Sequence, residues 1–392
     1  MQFDDLIHPI SKQDFFVRYW ETEFLLISRK RPDYLSSLFR LADLDRLIAF
    51  HPTGAGIQLT GGPKQNGGST EAEDIADLAG VYEGYYQGRS LVVNDVHRLW
   101  EPVSRLCRNL LVETGLRTNA NLYVTPAKAT GFDCHWDGHD VLILQLEGTK
   151  NWRVYSSIPQ LPHPSSPGCD YQNENGKRAR DITLEAGDFL YLPRGTPHQA
   201  TAGDEPSVHL TVGMLATTWQ DLLAAAVYEL ANRNESLRRS LPHSWLSDGE
   251  LLEPSLNVYQ ELVKELLSER NVEGALTLLR TNAVAGEPFL PDGHFMQLSM
   301  IDSIDLDTVL LKRAGTLVRV VRRDEGVVLY FPGGSCAGPG KLFWAFEFMA
   351  ESKSFRVAEI PGWYSDEERL TIVRNLVRKG FLRIVPSISH DS

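Results

Sequence analysis

The stretch GFDCHWDGHD, residues 131–140, sets His135, Asp137 and His139 close together in the chain. In an extended segment, side chains two apart share a face, so His135 and Asp137 can point into one space while Trp136 points away. A third group of the same kind comes from YLPRGTPHQA, where a strand ends in a Pro-Arg-Gly turn and delivers His198, after Pro197, at the end of another β-run. Two imidazoles and one carboxylate on one side of a divalent ion leave the opposite side for water, a cosubstrate and oxygen, the facial arrangement of non-haem Fe(II) sites. A His-x-Asp pair alone is common. The ordered Gly-Asp turn, apolar strand, Pro-Gly turn and histidine of LEAGDFLYLPRGTPH strengthen the reading. On the residues alone a second option stays open, in which the histidines cap strands and bond to the backbone.

The elements that must position these groups lie between about 117 and 215. ANLYVTP, DVLILQLEG, NWRVYS, DITLEAGDFLYLP and PSVHLTVGML are short β-rich runs separated by Gly, Pro, Asp and Asn turns, which predicts an antiparallel sandwich or barrel. Lys150 opens one run on the face of Trp152, so it either reaches into the barrel or sits solvated in a turn. Asn121 and Tyr123 share a strand face and are cavity-lining or plain packing residues. His209 and Thr211, two apart, face the barrel or serve as cross-strand partners. His139 and Asp140 either touch substrate or lie at the surface or behind the ligands.

Residues 1 to about 115 mix short helical patterns, SKQDFFVRYWE and LADLDRLIAF, with the Gly-rich loop GGPKQNGGST, and read as a helical lead-in. After Met214 the period becomes helical, in TTWQDLLAAAVYELANRN and SLNVYQELVKELLSERN. Beyond about 300, GTLVRVVRRDEGVVLYFPGG reads as two strands joined by an Asp-Glu-Gly turn. A helix then starts at the capping box of Ser365 and Glu368 and stops near Gly380, the outline of a winged helix. The fold class is α+β, organised as 1–216, 217–299 and 300–392.

With 39 Lys plus Arg against 51 Asp plus Glu, the 392-residue chain carries a formal charge of −12. That balance disfavours phosphate backbones and favours basic partners. The candidate recognition helix offers Arg369, Arg374, Arg378 and Lys379 behind three N-terminal acids, a poor basic stripe for DNA. The four cysteines are scattered with no CxxC pair, which fits a reducing compartment. No basic-then-apolar leader and no long apolar run is present, so a cytoplasmic protein without membrane contact is expected.

NLYVTP, GFDCHWDGHDVLILQLEGTKNWRVY, LEAGDFLYLPRGTPHQA and SVHLTVGM together resemble the JmjC-type cupin of the ribosomal oxygenase family, Fe(II)- and 2-oxoglutarate-dependent protein hydroxylases, and also bacterial cupin-superfamily proteins. The resemblance implies a double-stranded β-helix (cupin/JmjC jelly roll) with helical lead-in, helical dimerisation domain and C-terminal winged helix. It implies His135, Asp137 and His198 as iron ligands and Lys150 as the partner of the distal carboxylate of 2-oxoglutarate. Asn121 falls on an asparagine of the cosubstrate pocket, with Tyr123 beside it. The expected activity is 2-oxoglutarate-dependent, oxygen-consuming hydroxylation of a protein or peptide side chain, with ribosomal protein as the favoured target, by a homodimer. The alternatives are an oxygenase of a small molecule or natural-product peptide, a ligand-binding cupin without turnover, and a cupin sensor that regulates transcription through DNA.

Overall fold

The computed structural model describes residues 1–50, 56–61, 73–74, 77–155, 161–163, 166, 179–241, 252–287, 292–323 and 326–385. Most of the Gly-rich loop at 61–70, and Asp324 and Glu325 of the expected turn, lie outside the described residues. The chain divides into two compact units, Met1–Ala216 and Thr217–Ser392.

In the first unit, with strands numbered in chain order, an eight-stranded antiparallel sheet runs β1 (Leu25–Ile27), β9 (Phe189–Leu192), β6 (Asp140–Glu147), β11 (Ser207–Leu215), β5 (Arg117–Thr125), β4 (Ser90–Val93), β2 (Ile57–Thr60), β3 (Glu73–Asp74). A three-stranded sheet of β10 (His198–Ala202), β7 (Thr149–Tyr155) and β8 (Ala179–Glu185) packs against it. The VLILQL run of β6 is apolar except at Gln145 because both of its faces are covered. Leu142, Leu144 and Leu146 join a large core with Phe3, Leu6 and Ile7 of α1 (Phe3–Ile7) and Val103, Leu106 and Leu110 of α5 (Glu101–Thr114). Val141 and Ile143 turn the other way, onto Trp152, Val154, Ile182 and Leu184 of the smaller sheet. The same alternation buries Leu122, Val124, Leu210 and Val212 outward, leaving Asn121, Tyr123, His209 and Thr211 on the inner face.

The lead-in is less helical than its sequence predicts. It holds α2 (Lys12–Asp14), running into a π-helical turn at Phe15–Tyr19, then α3 (Leu44–Ala49), α4 (Leu78–Tyr86) and α5, but it also supplies β1 to β4. LLI and IQLT are too short to display an alternation, and they become strands only because the sheet edge is there to pair with them.

In the second unit, α6 (Trp219–Arg233), α7 (Leu252–Leu266) and α8 (Glu269–Ala285) are tied by Asn271, whose buried amide donates to the carbonyls of Ala226 and Leu266. Beyond α9 (His294–Ser299), β12 (Val309–Lys312) pairs with β16 (Ser354–Arg356) and β17 (Leu382–Ile384). The expected strand pair forms as β13 (Arg319–Arg323) and β14 (Gly326–Phe331), and a third strand, β15 (Gly334–Gly338), too glycine-rich to read as one, joins them. α10 (Phe343–Glu351) precedes α11 (Asp366–Arg378), which has the reciprocal capping box of Ser365 and Glu368 and is followed by Gly380 at φ +83°. Among the described residues no helix is long and apolar enough to cross a membrane.

Candidate active site

His135 and Asp137 do not sit on a regular strand. Residues 131–139 form an irregular loop entering β6, and only His135 makes a β-bridge, to His198. That bridge is reciprocal: the His135 amide donates to the His198 carbonyl at 3.1 Å and the His198 amide to the His135 carbonyl at 2.8 Å. His198 correspondingly opens β10 rather than ending a strand. The turn between β9 and β10 is fastened to the same loop, since the Gly195 amide donates to the Asp137 carbonyl at 2.9 Å. Backbone bonds thus fix all three side chains from two chain-distant segments.

The side chains converge. One ligand atom from each of His135, Asp137 and His198 lies within 4.8 Å of the others, and His198 Nε2 is 3.6 Å from Asp137 Oδ2. Each imidazole faces a backbone carbonyl through Nδ1, His135 toward Asp133 at 2.9 Å and His198 toward Thr196 at 2.9 Å. A carbonyl only accepts, so Nδ1 carries the proton and each Nε2 presents a lone pair. Burial pulls the His198 ionisation below its ordinary value, Asp137 opposes this and His135 adds to it. The donor set, two imidazoles and a carboxylate, fits a borderline divalent ion such as Fe(II).

Beside the triad a cavity of about 80 Å³ opens between the sheets, lined by Asn121, Tyr123, Lys150, Trp152, His209 and Thr211 as well as by the three converging groups. Lys150 is 3% exposed. Its ammonium donates to Thr125 Oγ1 at 3.0 Å and lies 3.4 Å from His209 Nδ1. With no carboxylate acting on it, burial brings its ionisation down to about 7. Tyr123 stays a hydroxyl, pushed up to about 12 by burial first and Asp137 second. Asn121 lines the cavity while its Oδ1 accepts from the Asp95 amide at 3.0 Å.

The structure separates pairs of residues that the sequence leaves ambiguous. His139 lines the cavity, in space that Gly213 leaves open: a Cβ there would stand 3.0 Å from the imidazole. Asp140 does not reach it, being fully buried and accepting from the Tyr191 hydroxyl at 2.5 Å. His209 is a cavity residue, stacked on Tyr123 at 4.7 Å and edge-on to Trp152 at 5.4 Å, and burial holds it well below its ordinary value. His139 Nδ1 and Trp152 Nε1 are buried without hydrogen-bond partners among the described residues. Each such group costs about 1–3 kcal/mol unless something that enters the cavity satisfies it.

Comparison with known proteins fits this geometry. Residues 97–222 match the family model for the JmjC domain. Ribosomal oxygenase 1 of Danio rerio is 32% identical over 295 residues, covering 70% of this chain and 54% of that protein. The bifunctional lysine-specific demethylase and histidyl-hydroxylase NO66 of Branchiostoma floridae is 31% identical over 282 residues, covering 68% and 43%. The chain therefore spans about half the length of the curated relatives it matches. Solved structures of Escherichia coli YcfD share the fold at a TM-score of 0.61 and 19% identity, covering 96% of this chain and 98% of that one. One of them, with a TM-score of 0.59, is a complex with cobalt and 2-oxoglutarate. Residues 97–222 match a JmjC domain, in a chain similar to ribosomal oxygenase 1 over 70% of its length.

Proposed function

We propose that the first unit is an Fe(II)- and 2-oxoglutarate-dependent oxygenase that hydroxylates a side chain of a protein substrate, with a ribosomal protein the favoured target. The observation that carries this reading is the convergence of two imidazoles and one carboxylate in the lining of a cavity that a buried lysine also lines. His135, Asp137 and His198 would hold the iron, and Lys150 the distal carboxylate of 2-oxoglutarate, with Tyr123 and Asn121 lining its path. Bound together, metal and cosubstrate would activate molecular oxygen, the oxidant, for C–H hydroxylation, with 2-oxoglutarate oxidised to succinate and carbon dioxide. The chain's own part is to bind and orient. The two Nδ1–H groups hold their rings to carbonyls, the Gly195 amide fixes the Asp137 backbone, and Val141, Ile143 and Trp152 of the inter-sheet core give the cavity an apolar wall. A ribosomal target is favoured by the names of the relatives, ribosomal oxygenases among them, and by the chain's acidity, which suits a basic peptide.

We also infer a homodimer through the helices at 217–299. Apolar side chains stand exposed along α6, Trp219, Leu223 and Val227 at four-residue steps, as a self-complementary face requires. The 300–392 region, read as a winged helix, contacts protein rather than DNA. Arg369, Arg374 and Lys379 spend donors on backbone carbonyls of their own unit, and Arg378 donates to Asn375. A cytoplasmic location suits Cys107, Cys134 and Cys336, which are thiols rather than disulfides.

The test is proteome mass spectrometry of cells with the gene, without it, and with Asp137→Ala in its place. The expected result is one residue carrying an added oxygen only with the wild-type gene. Purified Asp137→Ala is expected to lose divalent-metal binding and all succinate formation from 2-oxoglutarate. Turnover equal to wild type in that variant would remove the metal assignment.

A further inference from the structure

Resting on the cosubstrate reading above, we propose that His209 is a positioning residue: with Thr125 it holds Lys150 as an ammonium aimed into the cavity, assembled by uptake of one proton when a dicarboxylate enters.

An ammonium has three N–H donors and no acceptor. Two of them meet Thr125 Oγ1 at 3.0 Å and His209 Nδ1 at 3.4 Å, and the side chain lines the cavity. For His209 to accept at Nδ1, its ring must be neutral with its proton on Nε2. Burial enforces neutrality, and Lys150 and then His198 add to it. The ring cannot swing away, because it stacks on Tyr123 at an interplanar angle of 13° and meets Trp152 edge-on at 89°.

The surroundings decide what happens to the proton. β5 presents Thr125 and Tyr123 to Lys150, and β11 presents His209 and Thr211. β8 and β10 offer only Leu184 and Ala202 as its cross-strand partners. The remaining titratable groups of the cavity, His135, Asp137, His139 and His198, complete its lining, and no carboxylate pairs with Lys150 among the described residues. Burial alone therefore sets its charge, and the lysine is half neutral near pH 7. Above that pH a dicarboxylate entering the cavity meets an amine, and its negative charge draws a proton from solvent onto Nζ. Below it the ammonium is already present and uptake falls. Affinity should weaken by about tenfold for each pH unit above 7, up to the value the bound lysine reaches.

The experiment is calorimetric titration of the Mn(II)-loaded full chain with 2-oxoglutarate, in pairs of buffers that differ widely in ionisation enthalpy, at pH 6 and pH 8. Wild type is expected to take up close to one proton at pH 8 and much less at pH 6. Lys150→Arg, whose guanidinium is charged at both values, should show no such difference, and it subtracts any proton released from metal-bound water. His209→Leu removes the acceptor and should lose at least about tenfold more affinity at pH 8 than at pH 6, whereas His209→Gln, with an uncharged acceptor, should return the profile toward wild type. A packing role for His209 alone would lower affinity equally at both pH values and would overturn its assignment. Binding without proton uptake at pH 8 overturns the proton-linked mechanism while the cosubstrate reading stands. If 2-oxoglutarate gives no heat in any buffer, both fall together.

Discussion

Lys150 is charged in the unfolded chain up to about pH 10.5, yet in the folded cavity burial lets it shed its proton near 7. Between those values the unfolded chain binds more protons, so this residue lowers stability, and the loss is full below pH 7 and gone above 10.5. The span corresponds to about 5 kcal/mol. Lys150→Met, an apolar side chain of similar length, is therefore expected to be several kcal/mol more stable than wild type in urea unfolding at pH 7, with the gap closing toward pH 10. A gap that does not change with pH, or a less stable variant, would show that the lysine is not buried as a strained cation. The gain in stability would come with loss of 2-oxoglutarate binding, the usual opposition between a functional site and its scaffold. An irregular loop bridged to His198, rather than the strand that the spacing suggests, brings His135 and Asp137 together, so the convergence with His198 is legible only in residue type, since few residue types ligate metals. His209 is not, since the alternation of VHLTV suits a cross-strand partner equally well, and only the packing between Tyr123 and Trp152 separates the two.

The triad and the lysine belong to neighbouring elements, so the turn that links them matters. β6 leaves the loop that carries His135 and Asp137 and passes through Gly148 into β7, which delivers Lys150. Gly148 has φ +66°, and a Cβ on it would fall 2.0 Å from the Pro206 carbonyl oxygen, a backbone atom that cannot step aside. Gly148→Ala combines left-handed strain with that clash and should cost at least about 2 kcal/mol. Gly138→Ala, in the loop between Asp137 and His139, meets nothing within 4 Å, and should change stability by less than about 0.5 kcal/mol. Urea midpoints of both variants test this, and a similar shift for the two would mean that the β6–β7 turn adapts. At this scale the β-runs from 117 to 215 can be read directly, since turn residues bracket each one. β1, β2 and β4 cannot: three or four residues carry too little pattern, and pairing with the existing sheet decides their state. The capping box at Ser365 is legible because its hydrogen bonds are local, and β15 is not because GSCAG has no strand propensity of its own.

Across the whole chain, charge and apolar surface point to different kinds of partner. At −12 the chain disfavours polyanions, and the cations of α11 are bound within their own unit, which suits the proposed contact with protein. α6 carries the strongest candidate surface. Trp219 is 82% exposed, Leu223 55% and Val227 44%, on one stripe. A neighbouring face of α6 packs on α8 through Ala225, Ala226 and Ala275, small side chains that bury little area, so this helical region gains modest stability from its own core. Covering Trp219 and Leu223 in a second copy would add about 1.5–3 kcal/mol for each side chain fully buried, and a two-fold arrangement counts every contact twice. The amphipathic period of α6 is plain in the sequence, but the period does not tell which apolar stripe faces an internal core and which faces a partner. Sedimentation velocity distinguishes them: wild type is expected to run as a dimer at micromolar concentration, and the double variant Trp219→Lys, Leu223→Glu as a monomer that retains metal binding in the first unit. A double variant that still sediments as a dimer would move the interface off α6, and a monomeric wild type would leave that stripe for contact with another protein.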